Sequence, residues 1–293
     1  MHELAGRTAV VTGAASGIGR ALATRFAADG MRVVLADVVP EPLEQTVAEL
    51  RSAGHEVTGV PTDVTSPESV EALRDAAVAA YDRVHVLCNN AGVGSGAEGR
   101  MWEHERTDWH WAMDVNVYGV VHGIAAFVPH MLEHGDEGHI VNTSSGNGGV
   151  SPLPSTPVYA ATKAAVTVLS ECLWAQLRQV DAAIGASVLY PGPNMLRTGL
   201  YEGWRYRPDA YAKQRPRQTP YATIDDVETM MRNAGVDVQY TPLEEVAGRV
   251  VDAIRADTFW ILPPSDRTDE TIRARADSML TRTNPEYLQR FWG

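Results

Sequence analysis

Residues 8–19 read TAVVTGAASGIG, and this stretch decides the fold. Thr8 to Thr12 form a short, β-branched run with the composition of a buried strand. From Gly17 onward, apolar residues recur at three- and four-residue spacings, as on one face of a helix. Three glycines fill the turn, in the spacing G-x-x-x-G-x-G rather than G-x-G-x-x-G. Gly13 allows the tight turn, Gly17 lets the backbone approach a bound group, and Gly19 lets the helix pack close to the strand. Ser16, Gly17 and Ile18 then stand at a helix N-terminus, whose N–H groups favour an anion such as a pyrophosphate. A strand, a glycine turn and a helix in this order open a dinucleotide-binding βα unit.

The rhythm continues outward. Further apolar runs are MRVVLAD (31–37), EVTGVP (56–61), VHVLCNN (84–90), HIVNTSS (139–145), IGASVLYPG (184–192) and TFWILP (258–263). They are nearly continuous, as expected of strands covered on both faces. Stretches of helical periodicity lie between them at 17–29, 41–53, 67–81, 105–134, 158–178 and 242–256. This alternation predicts an α/β fold, a doubly wound parallel sheet of Rossmann-like type, with residues 1–293 as one nucleotide-binding catalytic domain. Thr241-Pro242 reads as an N-cap followed by proline at the first helical position. Residues 193–240 break the rhythm. Their Pro, Tyr, Trp and Arg content predicts an extended substrate lid containing a short helix at 223–234 capped by Thr223. Residues 264–293 form a C-terminal extension.

Composition removes several classes of function. The 293 residues hold 25 Lys and Arg against 37 Asp and Glu, a net charge of −12. That balance argues against nucleic acid, which needs a basic footprint, and against anionic lipid. No stretch reads as approaching the roughly 18 apolar residues of a membrane span, and the N-terminal residues lack a secretory pattern. Cys88 and Cys172 make no C-x-x-C pair and no zinc spacing, so no metal site is expected. A reducing cytoplasm is the expected compartment.

A few positions carry chemistry. Asp37 ends the second run, 18 residues after Gly19. An acid at about that offset can hold the adenosine ribose hydroxyls and repel a 2′-phosphate, so NAD is the expected cofactor. Tyr159 and Lys163 are four apart in YAATK and share one helix face. An ammonium beside a phenol lowers its pKa and makes a base for an alcohol proton. Ser144 and Ser145 precede them at a strand end, and Asn116 lies upstream.

Together these residues resemble the short-chain dehydrogenase/reductase family, in its oxidoreductase branch. The matching pieces are TGAASGIG (12–19), Asp63-Val64, NNAG (89–92), Asn116 in VNVYG, IVNTSS (140–145), YAATK (159–163) and PGP (191–193), in the family's order across residues 6–192. The resemblance implies Tyr159 as acid/base and Lys163 as the residue that tunes it and holds the nicotinamide ribose. It implies Asn116 as anchor of a relay water and Ser145 as hydrogen-bond partner of the substrate oxygen. Ser145 is chosen over Ser144 because the family's following glycine then falls at Gly148. Asp63 and Val64 correspond to the adenine contact, Asn90 and Gly92 to the cofactor wall, and Pro191 and Gly192 to the turn beside nicotinamide. Thr198 lies later than the family's threonine. In this family the helices at about 105–134 and 158–178 commonly pair between subunits, which implies a homo-oligomer, a tetramer or else a dimer.

The expected partner is a small-molecule alcohol or ketone, handled by an NAD-dependent alcohol dehydrogenase. Met195, Leu196, Tyr201, Trp204 and Tyr206 predict a bulky ring alcohol rather than ethanol. The PGP start and the RP-containing stretch also resemble dehydrogenases of benzylic alcohols in lignin-derived aryl ethers. Steroid and terpenoid alcohols fit as well. The alternative, a silent family member that binds nucleotide or regulates, would be expected to lose members of the set Asn116, Ser145, Tyr159 and Lys163. A halohydrin-eliminating relative would lack the glycine turn, and an enoyl reductase would space Tyr and Lys more widely. His130 to His134 fit the string H-x-x-E-H, but histidines in a last helical turn already have a dipole reason to be there. Trp109 and Trp111 are expected to pack against the fold or a subunit.

Overall fold

β1 (Thr8–Thr12) lies near the middle of a seven-stranded sheet, with β2 (Arg32–Asp37) on one side and β4 (Val86–Asn89) on the other. The strands β3 (Val57–Pro61), β5 (Gly138–Thr143), β6 (Ile184–Leu189) and β7 (Trp260–Ile261) complete the order β3-β2-β1-β4-β5-β6-β7, every pair parallel. The computed structural model describes residues 1–94, 98–216 and 219–291. Arg217 and Gln218 of the expected lid, and Trp292 and Gly293 of the C-terminal extension, lie outside the described residues.

All residues of β1, β4, β5 and β6 are buried, the reason their sequences run apolar without alternation. One face is covered by α1 (Gly17–Ala28), α2 (Pro40–Ser52) and α8 (Leu243–Ala256), through Leu22, Phe26, Leu43, Val250 and Ile254. The other is covered by α3 (Pro67–Tyr81), α5 (Gly119–His134) and α6 (Pro157–Gln179), through Leu73, Phe127, Met131 and Leu173. The chain order reverses between β1 and β4, which opens a crevice above their carboxyl ends.

Three expectations need correction. The stretch 105–134 is not one regular helix: α4 (Arg106–Met113) and α5 are separated by a π-helical turn, Asp114–Tyr118. The same run, Arg106–His134, is long and apolar enough to cross a membrane. Val120, Phe127 and Met131 of this run are buried in the protein. Thr241 does not cap α8; Pro242 holds that position, and the Thr241 N–H donates to the Met195 carbonyl at 2.9 Å.

Residues 193–240 leave and rejoin the frame together, at a parallel bridge between Met195 and Tyr240. Between them lie two short 3₁₀ turns, Gly199–Tyr206 and Asp209–Tyr211, and α7 (Ile224–Asn233). Thr223 caps α7, accepting the Asp226 N–H while the Asp226 carboxylate accepts the Thr223 N–H. After β7 the chain forms α9 (Asp266–Thr281), where Arg275 Nη1 donates to the Val150 carbonyl at 2.8 Å.

Candidate active site

The carboxyl ends of β1, β2, β4, β5 and β6 form the floor of a cleft of about 910 Å³. At one end is the glycine turn. Gly17 sits at φ +54°, a backbone that other residues rarely adopt, and Thr198 packs against it: a Cβ there would stand 3.2 Å from Thr198 Cβ. Gly13, Ser16 and Ile18 also line the cleft. Gly19 lies behind the wall, where a Cβ would come within 2.7 Å of Asn90 Nδ2. Its place is the close helix–strand approach. Asn90 itself ties the floor together: its amide donates to the Thr12 carbonyl at 3.0 Å and accepts from Thr143 Oγ1 at 3.3 Å.

Asp37 closes the turn from the side. Its carboxylate accepts the N–H of Ala15 at 3.0 Å and of Val39 at 3.1 Å. The wall beside it is Val38, Val39 and Pro42, with no cation among the described residues, and Arg20 on α1 is already paired with Glu49. A glycine cradle ending on an acid, with no arginine to hold a 2′-phosphate, fits NAD. Asp63 and Val64 line the same end, with Asp63 Oδ1 held by Thr65 at 2.8 Å.

Toward the middle, the loop after β5 meets α6. Ser144 turns inward and donates to the Lys163 carbonyl at 2.8 Å, in a buried chain with Thr167 and Tyr190. Ser145 faces the cleft beside Tyr159, near enough to favour its phenolate. Gly148, at φ +106°, lays this loop on α6; a Cβ there would lie 3.0 Å from Ala160 Cα. Asn147, a residue the sequence reading missed, braces it by donating to Thr156 Oγ1 at 2.8 Å and accepting the Leu153 N–H at 2.8 Å.

The Lys163 ammonium stands 5.7 Å from the Tyr159 ring centroid and donates to the Thr143 carbonyl at 2.9 Å. Burial pulls Lys163 down to about 8. Burial also pushes Tyr159 up to about 12. The expected lowering of the phenol by Lys163 is not seen here: burial sets the direction, and Ser145 is what opposes it. Asn116, on the π-helical turn, is fully buried and does not line the cleft. Its amide clasps Val93, donating to the carbonyl at 2.9 Å and accepting the N–H at 2.8 Å, and donates to Thr162 Oγ1. Gly92, Pro191 and Gly192 line the cleft, and Arg249 holds the Pro191 and Gly192 carbonyls.

The 193–240 segment supplies the outer wall through Met195, Leu196, Leu200, Tyr201 and Tyr206. Trp204 is not in that wall; its indole donates to the Ala222 carbonyl at 3.2 Å and braces the segment. Tyr201 packs edge-on against Tyr221, which hydrogen-bonds Glu98. The segment's far end is held by α4: Arg207 and Lys213 pair with buried Asp108, and Tyr211 donates to Asp114 at 2.8 Å. Trp111 lies under Arg207 and joins the cleft wall. His130 and His134 bind the backbone of Val84.

A Tyr–Lys–Ser set on the open end of such a sheet defines a Rossmann-type oxidoreductase. The family model described as short chain dehydrogenase matches residues 7–205. The chain belongs to that family. It is 37% identical over 266 residues to the 1-deoxy-11-beta-hydroxypentalenate dehydrogenase of Streptomyces exfoliatus, covering 91% of this chain and 86% of that one. A short chain dehydrogenase/reductase from Burkholderia phymatum, solved in complex with NAD, superposes with a TM-score of 0.87 at 40% identity, covering 97% of this chain and 98% of that one. The apo form of LigO from Sphingobium sp. strain SYK-6 superposes at 0.75 with 29% identity, covering 99% of this chain and 95% of that one.

Proposed function

We propose that the chain oxidises a bulky, ring-bearing secondary alcohol with NAD, and reduces the ketone in reverse. The observation that carries this reading is Tyr159 standing beside Ser145 and Lys163 in a cleft that continues to the glycine turn and Asp37. When bound, NAD supplies the hydride acceptor and a positive ring charge. Tyr159 takes the hydroxyl proton, and Ser145 holds the oxygen as negative charge develops on it. Lys163 carries the proton on toward Gly92, where Lys163 Nζ and Asn116 Oδ1 both approach the backbone. Pro191 and Gly192, braced by Arg249, shape the floor beside the reacting carbon. The Burkholderia phymatum relative's NAD and the Streptomyces exfoliatus relative's hydroxylated substrate support the choice of cofactor and of alcohol.

Residues 193–240 act as the substrate lid, supported by the tyrosines they place in the wall. A wall of Tyr159, Tyr190, Tyr201 and Tyr206 suits a rigid ring system. The protein assembles as a homo-oligomer through α5 and α6, where Leu132, Val168 and Trp174, with Tyr118 on the turn that leads into α5, are 40–58% exposed. The test is NADH formation with NAD and a panel of cyclic and short aliphatic alcohols, with NADP in parallel. Turnover of cyclic secondary alcohols with NAD is expected. Faster turnover of ethanol would end the ring reading, and light scattering that finds an active monomer would end the assembly reading.

A further inference from the structure

α9 brings a cation into the cleft wall. Arg267 lies in its first turn and lines the cleft with Thr268 and Thr271. Among the described residues its guanidinium has no carboxylate or carbonyl partner. Other arginines nearby are committed: Arg207 to Asp108, Arg249 to the Pro191 and Gly192 carbonyls, and Arg275 to the Val150 carbonyl. The other lysine or arginine in the described wall, Lys163, is buried and bonded to Thr143.

Position separates Arg267 from the nucleotide end. α9 follows β7 and packs on the loop after Ser145. β7 stands five strands from β2 and Asp37, roughly 24 Å at the usual strand spacing. The acids of the wall are distant or engaged: Asp37 and Asp63 line the glycine-turn end, and Glu98 takes the Tyr221 hydroxyl. An uncommitted guanidinium in a largely apolar substrate wall is a hydrogen-bond fork without its anion. Asp266 and Asp269 share its helical turn but do not line the cleft, so Arg267 is the charge this turn presents to a ligand there.

We propose that Arg267 is a specificity-determining residue that selects alcohols bearing a carboxylate, placed on the ring system away from the reacting carbinol. The substrate class is then cyclic hydroxy acids. This rests on the alcohol dehydrogenase reading above and narrows its substrate. Arg267 is exposed to solvent, so its preference is of modest size, about tenfold.

The test compares 4-hydroxycyclohexanecarboxylate with its methyl ester in the wild type, Arg267→Gln and Arg267→Lys. The wild type should favour the acid in kcat/KM. Arg267→Gln should reduce the acid-to-ester ratio about tenfold, with the loss carried by KM, and Arg267→Lys should recover part of it. Added salt should erode the wild-type preference. An unchanged ratio in Arg267→Gln would overturn the proposal. If the wild type turns over neither probe, the alcohol dehydrogenase reading fails for this class, and calorimetric binding to the NAD-loaded protein decides the arginine separately. Weaker binding of the acid to Arg267→Gln than to wild type sustains it. Equal binding, or none of the acid to wild type, overturns it.

Discussion

Arg207 Nη1 stands 2.7 Å from Asp108 Oδ1, a buried ion pair that joins the 193–240 segment to the first turns of α4. Burial alone would raise the Asp108 carboxyl, but Arg207, the Glu105 N–H and Lys213 hold it below its usual value. Removing one partner of a buried pair leaves the other uncompensated, typically at about 3–5 kcal/mol. Asp108→Asn should therefore loosen residues 199–216. Hydrogen exchange there should quicken and KM for a ring alcohol should rise, while affinity for NAD holds. Unchanged exchange over 199–216 would show that the segment is held elsewhere.

Tyr159→Phe removes the phenol while keeping the ring that packs beside Lys163. Turnover should fall by about 10²–10⁴, the range of acid–base catalysis. NAD binding, followed by fluorescence, should largely survive. Retention of most activity would reassign the base.

The pH dependence follows from burial. With Tyr159 pushed up to about 12, the phenolate needed for alcohol oxidation is scarce at neutral pH. The oxidation kcat/KM should climb from pH 7 to 9. Ketone reduction uses the protonated phenol and should not gain over that interval. Opposite slopes for the two directions are the readout, and an oxidation rate that falls from pH 7 to 9 would contradict it.

Stability should fall in acid for a different reason. Burial lowers both His85 and His139 from 6.5 to about 4. Between those values the unfolded chain binds protons that the folded chain refuses. Stability is complete above about 6.5 and declines toward about 4, by up to about 1.4 kcal/mol per pH unit for each histidine. Denaturant midpoints between pH 7 and 4.5 measure it. His139→Gln, which keeps a polar partner for Ser187, should flatten the slope.

Cofactor choice turns on Asp37. The wild type should prefer NAD over NADP in kcat/KM, and Asp37→Ala should narrow the gap. Some loss with NAD is also expected, because Asp37 fixes the Ala15 and Val39 N–H groups of the turn. Equal use of NADP by the wild type would remove the argument.

The sheet was legible because burial on both faces writes strands as continuous β-branched runs, and each of the seven runs contains an observed strand. The glycine turn was legible because its close approaches admit no side chain. What escaped depends on contacts remote in sequence. Asp108 reads as an ordinary first-turn acid, since its partners Arg207 and Lys213 are about a hundred residues away. The π-helical turn at Asn116 escaped because one widened turn barely disturbs apolar spacing. Arg267 sits on a polar helix whose sequence gives no sign that it borders a cleft formed by other elements. Trp204 was expected to contact substrate, but its indole braces Ala222, a choice that composition alone cannot reveal.

The Met195–Tyr240 bridge has a consequence for how such a protein can diversify. The segment departs and returns through a single gateway, so the parallel sheet carries no record of its length. Closing a longer or shorter loop at that gateway changes the cost slowly, by about 0.6 kcal/mol per doubling. Insertions, deletions or wholesale exchange between cousins can then rewrite which molecules are admitted, while the half that handles nucleotide is inherited intact. Substrate range and cofactor use are free to evolve on separate clocks.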